Sequence, residues 1–346
     1  MRIKVIVSIF FIVAILMAFI PYQIKSLIPS NWPKPVYDFT KNEPSIAKIN
    51  LGRVLFYDPI LSQNNTISCA SCHLQYTAFT HIDHALSHGI NDKIGTRNSP
   101  TLINLAWNKS FMWDGAVNHL DMQALAPIAH PAEMGSSIDA VVTTIQQDIY
   151  YKALCFNAYQ DSILTGERIL KALSSFELTF ISADAKYDSV MRNQAVFTAQ
   201  EANGYLLFKQ YCASCHTEPL FTNGLFENNG LREDSLLTDK GRMRITNDST
   251  DLHKFKVPTL RNIEYSYPYM HDGRFKKLGE VLTHYTSGID YYPNLSAPLN
   301  KPIILNSNEK VDMIAFLLTL SDRHFLFNKN YGYIRKDNSS MLQSKD

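Results

Sequence analysis

Charge of one sign is what this sequence has least of. Across 346 residues, 33 Lys and Arg are met by 32 Asp and Glu, a net charge of +1. That balance gives no reason to expect a nucleic-acid partner or a strongly charged protein partner. Strand-like alternation is also missing, which leaves the class mainly α. Cysteine is sparse: five residues, used as two C-x-x-C pairs plus Cys155. Cys155 lies in the apolar run Ala153-Leu154-Cys155-Phe156 and reads as a small buried hydrophobe. Hydrophobic residues make up 45% and charged residues 19%, an ordinary globular balance. The length is enough for two domains with full cores.

A cleavage signature is lacking at the N-terminus. Arg2 and Lys4 precede an apolar run from Val5 to Ile20, followed by Pro21 and Tyr22. These are the n-region and h-region of an exported chain. No A-x-A site follows, and no cysteine is available there for lipidation. The run is long for a cleaved signal and short for a spanning helix. Residues 1–27 are read as a signal peptide or an N-terminal membrane anchor, and the destination as the periplasm.

What is present is a pentapeptide that occurs twice, Cys69-Ala70-Ser71-Cys72-His73 and Cys212-Ala213-Ser214-Cys215-His216. A zinc site would need the two pairs brought together and would not explain a His directly after each second Cys. A redox disulfide would need a βαβ context, which is absent. C-x-x-C-H is the attachment signature of c-type haem. Each thiol adds across a vinyl group, and the following His becomes the proximal iron ligand. His73 and His216 are thus the expected ligands of two covalent haems. Export agrees with this, because c-type haem is attached outside the cytoplasm. The groups above each iron then decide the chemistry: a strong sixth donor makes an electron carrier, an open position with acid–base groups makes a peroxide site.

The flanking segments read as helices and loops. Asn31 to Pro44 is Pro-rich and extended. Pro44 and Ser45 begin a helix that ends at Asp58-Pro59. Ser137 can cap a helix through about Ala158, and Thr165 another whose Ile169, Leu170, Leu173, Phe176 and Phe180 line one face. Asp184 to Asn193 is the expected boundary between an N-terminal haem domain (28–190) and a C-terminal one (191–346). Thr198 to Glu201 is a capping box opening a helix that runs into Cys212. Ser307 is the expected cap of a closing helix that contains Val311, Ile314, Phe316, Leu317 and Leu318. Residues after Arg335 are polar. The two haem motifs are the only internal repeat evident by inspection.

Several further motifs stand in a definite order. They are Leu51 to Pro59, Arg97 to Asn104, Phe111-Met-Trp-Asp-Gly115, Gln123 with Pro127, and Pro131-Ala-Glu-Met134. Lys256-Val-Pro-Thr-Leu-Arg-Asn262 and Pro268-Tyr-Met-His-Asp-Gly273 complete the set. Together, from about Leu51 to Leu320, they resemble the bacterial di-haem cytochrome c peroxidase / MauG family. The resemblance implies two cytochrome-c-like domains. The N-terminal haem would reduce H2O2, and the C-terminal haem would receive electrons from a small c-type cytochrome or cupredoxin. Trp113 corresponds to the tryptophan between the haems, and Gln123 and Glu133 to the distal pair of the peroxidatic site. Asn98, with main-chain oxygens near Ser266 and Pro268, corresponds to an inter-domain Ca2+ site. A carboxylate such as Glu133 suits the proton transfers of peroxide cleavage, and Gln123 can hydrogen-bond the peroxide.

Two sixth-ligand positions carry alternatives. His88, in Ser87-His88-Gly89, corresponds to a ligand that the peroxidases release on activation; His81 and His84 lie close by. At the C-terminal haem the peroxidases place a Met, whereas MauG-like proteins have a Tyr, here Tyr285, with His284 adjacent. A phenolate favours Fe(III), and a thioether favours Fe(II). Tyr285 therefore raises a second reading, a MauG-like oxidase that modifies a partner protein. A third is a non-enzymatic carrier with both irons six-coordinate. Homodimers are common in the family.

Overall fold

The computed structural model describes residues 27–334. The apolar run at residues 5–20, with its signal-or-anchor reading, lies outside them, as does the polar tail after Arg335. Among the described residues no helix is long and apolar enough to cross a membrane. The fold is mainly helical. Its named strands are one antiparallel pair, β1 (Phe226–Glu227) and β2 (Phe255–Lys256).

In the first half, α1 (Ile46–Tyr57) starts where the Ser45 hydroxyl accepts the Lys48 N–H, and stops at Asp58, whose side chain caps the following turn. The motif turn α2 (Cys69–Cys72) follows, then α3 (Leu120–Gln123) and α4 (Leu125–Ala129). The single helix expected from Ser137 to Ala158 is two, α5 (Ile138–Ile145) and α6 (Ile149–Tyr159). Asp148 is the reason: its carboxylate accepts the Tyr150 N–H at 2.8 Å and restarts the ladder. Thr165 caps α7 (Gly166–Glu177), whose Ile169, Leu170, Leu173 and Phe176 are buried.

In the second half, α8 (Lys186–Met191) occupies the expected boundary segment. It is no free linker, because Asp188 receives both arms of the fully buried Arg261, at 2.9 and 2.7 Å. The capping box at Thr198 opens α9 (Ala199–Tyr211), which ends on Cys212. After α10 (Met243–Thr246) and α11 (Leu278–Ser287) comes α12 (Ser307–Leu318). Its cap is Asn306 rather than Ser307, since Asn306 accepts two N–H groups and Glu309 reaches back to it. Phe316 and Leu317 are buried there with Met313, while Val311 and Leu318 are exposed. The short α13 (Arg323–Leu326) is the last α-helix among the described residues.

Apolar burial falls into two main clusters. One gathers Leu51, Phe56, Phe79, Phe176 and Phe180; the other gathers Phe208, Phe221, Met313 and Phe316. The C-terminal Phe325, Leu326 and Tyr331 return to the first cluster. The Pro-rich segment also departs from expectation. Trp32 is buried edge-on against Trp107 at 5.1 Å and lies under the Arg261 guanidinium at 4.6 Å, so the segment ties the two halves together.

Each half is built on one helix crossing, and both use the same device. A Cβ on Gly52 of α1 would overlap the Ala172 carbonyl of α7, and one on Gly204 of α9 the Asp312 carbonyl of α12. Glycine therefore sets the close approach in both. Four residues on, Phe56 and Phe208 are fully buried. The repeat extends further. The Asn104 N–H donates to the Phe180 carbonyl, and the Asn262 N–H to that of Leu320. The Asn104 and Asn262 side chains accept from the Ser182 and Asp322 N–H groups. The reading of the motif pair as the sole repeat is thus corrected. Pro100-Thr-Leu-Ile-Asn104 matches Pro258-Thr-Leu-Arg-Asn262, and Phe111-Met-Trp-Asp-Gly115 matches Tyr269-Met-His-Asp-Gly273.

Candidate functional site

The second motif opens on a cavity of about 350 Å³, lined by Cys212, Cys215, His216, Tyr285, Met313 and Leu317 among others. The His216 Nδ1 is 3.1 Å from both the Phe221 and Pro258 carbonyls, which accept from it and leave Nε2 unengaged by them. Burial pushes His216 down to about 4, so the imidazole is neutral, the form that ligates a metal. The first motif repeats the arrangement. The His73 Nδ1 donates to the Phe79 carbonyl at 2.7 Å, and burial again pushes the ring down to about 4. All four motif cysteines are free thiols. A neutral, oriented imidazole beside two free thiols fits a c-type haem at each motif, and the mostly apolar cavity at the second is of ligand size.

Above the first motif, the loop at His88 is pressed onto Glu133. A Cβ on Gly89 would overlap the Glu133 backbone, and the Ile90 N–H donates to the Glu133 carbonyl at 2.8 Å. The Cys72 thiol donates to the His88 carbonyl at 3.4 Å. Burial raises the Glu133 carboxyl, opposed by His130, whose Nδ1 is 3.6 Å from it. The structure thus brings Glu133, Cys72 and the His88 loop together. The His88 ring itself is held by the Asp92 carboxylate at 3.0 Å and stacks on His84 at 4.0 Å, which stacks on His81 at 5.2 Å. Gln123 ends α3 and donates to the Met112 sulfur at 3.7 Å, with no bond to Glu133.

Trp113 and Asn98 line the cavity of the second motif although both belong to the first half. The Trp113 indole N–H donates to the Asn98 carbonyl at 2.8 Å, and the Lys256 N–H donates to the Trp113 carbonyl at 2.7 Å. The indole is therefore clamped where the halves meet. The Asn98 amide donates to the Ala85 carbonyl at 2.9 Å, and Ser266 and Pro268 line the same cavity. On α11, the His284 Nε2 is engaged by the Asn229 carbonyl at 3.1 Å, whereas Tyr285 faces the cavity. Burial pushes the Tyr285 phenol up to about 12, so it is protonated at neutral pH.

Sequence reasoning passed over three features. Arg97 bridges the halves, bonded to Asp114 at 2.6 Å and to Asp239 at 2.6 and 2.8 Å. His271, the counterpart of Trp113 in the repeat, stacks on Phe255 at 3.6 Å under that guanidinium. Glu177 is a carboxyl on the buried face of α7. The signals were available: the paired Asp-Gly turns for the first two, and an acid on an apolar face for the third.

Comparison with known proteins decides the affiliation. A model of the di-haem cytochrome c peroxidase family matches residues 46–196. The methylamine utilization protein MauG of Methylorubrum extorquens is 35% identical over 304 residues, 84% of this chain and 82% of that protein. The chain belongs to the di-haem cytochrome c peroxidase / MauG family. Cytochrome c551 peroxidase of Nitrosomonas europaea is 32% identical over 293 residues, 83% of each chain. A crystal structure of a MauG-like protein associated with microbial copper homeostasis superposes with a TM-score of 0.78 at 32% identity, over 88% of this chain and 97% of that one. As a member of this family the chain is a peroxidase-class oxidoreductase, and haem is its cofactor class. The non-enzymatic carrier reading is set aside.

Proposed function

We propose that this protein is a periplasmic di-haem peroxidase that reduces H2O2 to water at the first motif with electrons from a small c-type cytochrome or cupredoxin. Its two cytochrome-c-like domains, 28–190 and 191–346, each carry one covalent haem on Cys69, Cys72 and His73, and on Cys212, Cys215 and His216. Haem supplies the redox chemistry: it accepts and returns electrons and polarises the peroxide bond. The chain supplies the rest. Glu133 takes a proton from one peroxide oxygen and returns it to the leaving one. Gln123 donates a hydrogen bond to the peroxide. Trp113, bonded to Asn98 and lining the second cavity, carries charge between the halves. Asn98 with the Ser266 and Pro268 carbonyls is the proposed Ca2+ site.

The observation that carries this reading is the internal repeat read through the Asp-Gly turns. It sets Pro127 opposite Tyr285. A proline has no side-chain donor, so residue 127 would offer no ligand to a haem held on His73, and the His88 ring is bonded to Asp92 at 3.0 Å. Tyr285, which lines the second cavity, would offer a phenol to a haem held on His216. The same observation favours a second reading, a MauG-like oxidase using that chemistry on a partner protein, because a phenolate ligand stabilises oxidised iron. Steady-state turnover with H2O2 and reduced cytochrome c separates the two. Rapid oxidation supports the peroxidase. Peroxide-dependent bleaching and recovery without cytochrome c oxidation supports the MauG-like branch, and no spectral response to peroxide in any redox state overturns both.

A further inference from the structure

Glu177 is 3% exposed, and among the described residues no hydrogen bond or cation reaches its carboxyl. It closes α7, directly after Phe176, on the side of the Cys69 thiol, whose proton it helps to hold in place after burial itself. The repeat fixes its relation to the motif. Gly52 abuts the Phe176 Cβ as Gly204 abuts the Phe316 Cβ, so Glu177 is the counterpart of Leu317. Leu317 lines the cavity of the second motif. One half thus has an aliphatic residue against the haem space and the other an ionisable acid.

A buried carboxyl with no partner is costly when charged. Burial, with Asp121 adding to it, pushes Glu177 up to about 8. The titratable groups on the elements packed against α7 do not neutralise it. On α1, Lys48 is turned to Asn42 and Glu43, Arg53 to the Lys329 and Gly332 carbonyls, and Tyr57 to the Tyr331 carbonyl. Asp139 on α5 does not enter its environment. On α3, Asp121 has the same sign and is itself bonded to Tyr37, Asn42 and Ser174. Asp121 forms its ion pair with His119, 3.9 Å away and half exposed, and lies within electrostatic reach of Lys48.

We infer that Glu177 is the proton-accepting partner of the first haem: as that haem takes one electron, Glu177 takes one proton from solvent. The electron comes from the reductant, the iron passes from Fe(III) to Fe(II), and the carboxylate becomes a neutral acid, so the net charge of the buried site is unchanged. The inference rests on haem attachment at Cys69 and Cys72, and not on peroxide turnover.

The test is a spectroelectrochemical titration of the haem-loaded protein at several pH values. One of the two haem potentials should fall as pH rises past about 8, where Glu177 is ionised before reduction and can take up the proton, by up to one proton per electron. Glu177→Gln should remove that fall and leave the other haem's pH dependence unchanged. A variant in which the fall with pH is as steep as in the wild-type protein overturns the inference. Should Glu177→Gln fail to fold, redox-difference infrared spectra of the wild-type protein with carbon-13 glutamate decide. A labelled protonated-carboxyl band gained on reduction supports the inference, and its absence overturns it. A single haem in the pyridine haemochrome assay would instead sink the two-haem reading, a separate outcome.

Discussion

The two halves of this molecule share a scaffold and differ at the positions that face the motif. Both cross two helices on a glycine, bury a phenylalanine four residues later, and brace the crossing with an asparagine. Both hold the motif imidazole by its Nδ1 on a main-chain carbonyl. Against that sameness stand Trp113 and His271, Pro127 and Tyr285, and Glu177 and Leu317. Only the first half adds the turn that presents Glu133 against the His88 loop. The shared parts are what any haem holder needs. The unshared parts are where the chemistry lies.

The largest expected effect breaks the comparison at its catalytic end. Glu133→Gln should lower peroxide turnover by about 10²–10⁴-fold with haem content retained, the range of a lost general acid–base group. The pH profile sharpens this. Because burial raises the Glu133 carboxyl, its base form is lost at a higher pH than an ordinary glutamate's, so turnover should decline early on the acid side. Steady-state rates across pH measure both.

The next effect exchanges a residue between halves. Arg261 stands where the first half has Ile103. Arg261→Ile strands the buried Asp188 carboxylate and should cost about 3–5 kcal/mol, read by denaturant unfolding. Gly52→Ala and Gly204→Ala should each cost about 1–3 kcal/mol by forcing the helices apart. Equal losses would mark the crossings as equivalent, and a loss confined to one would break the repeat.

The last effect is on stability against pH. The folded Glu177 carboxyl titrates near 8, above its unfolded value. Below the unfolded value both states are protonated and nothing is lost. As pH rises toward 8 the unfolded chain releases its proton and the folded one does not, so folding weakens through that window. Glu177→Gln should flatten this decline in Tm.

Much of this was legible in the sequence, because capping and haem attachment are local. Ser45, Thr165 and the Thr198 box start their helices as read. What was not legible depends on what the chain meets elsewhere. Trp32 looks like part of a linker until Trp107 and Arg261 close around it. Asp148 looks compatible with a continuing helix until its carboxylate turns back to Tyr150. The repeat was written in the Pro-Thr-Leu and Met-x-Asp-Gly strings. It was missed because the residues between them diverge, and because the equivalence is carried by main-chain hydrogen bonds. The site motifs were found by resemblance, but the difference between His284, held by Asn229, and Tyr285, facing the cavity, needed the geometry.

The central proposal is that the halves would differ in their sixth ligands, with none from residue 127 for a haem on His73 and Tyr285 for one on His216. Electron paramagnetic resonance of the fully ferric protein tests it directly. One high-spin and one low-spin signal are predicted, with Tyr285→Phe altering the low-spin signal and sparing the high-spin one. A low-spin signal unchanged by Tyr285→Phe would contradict the account.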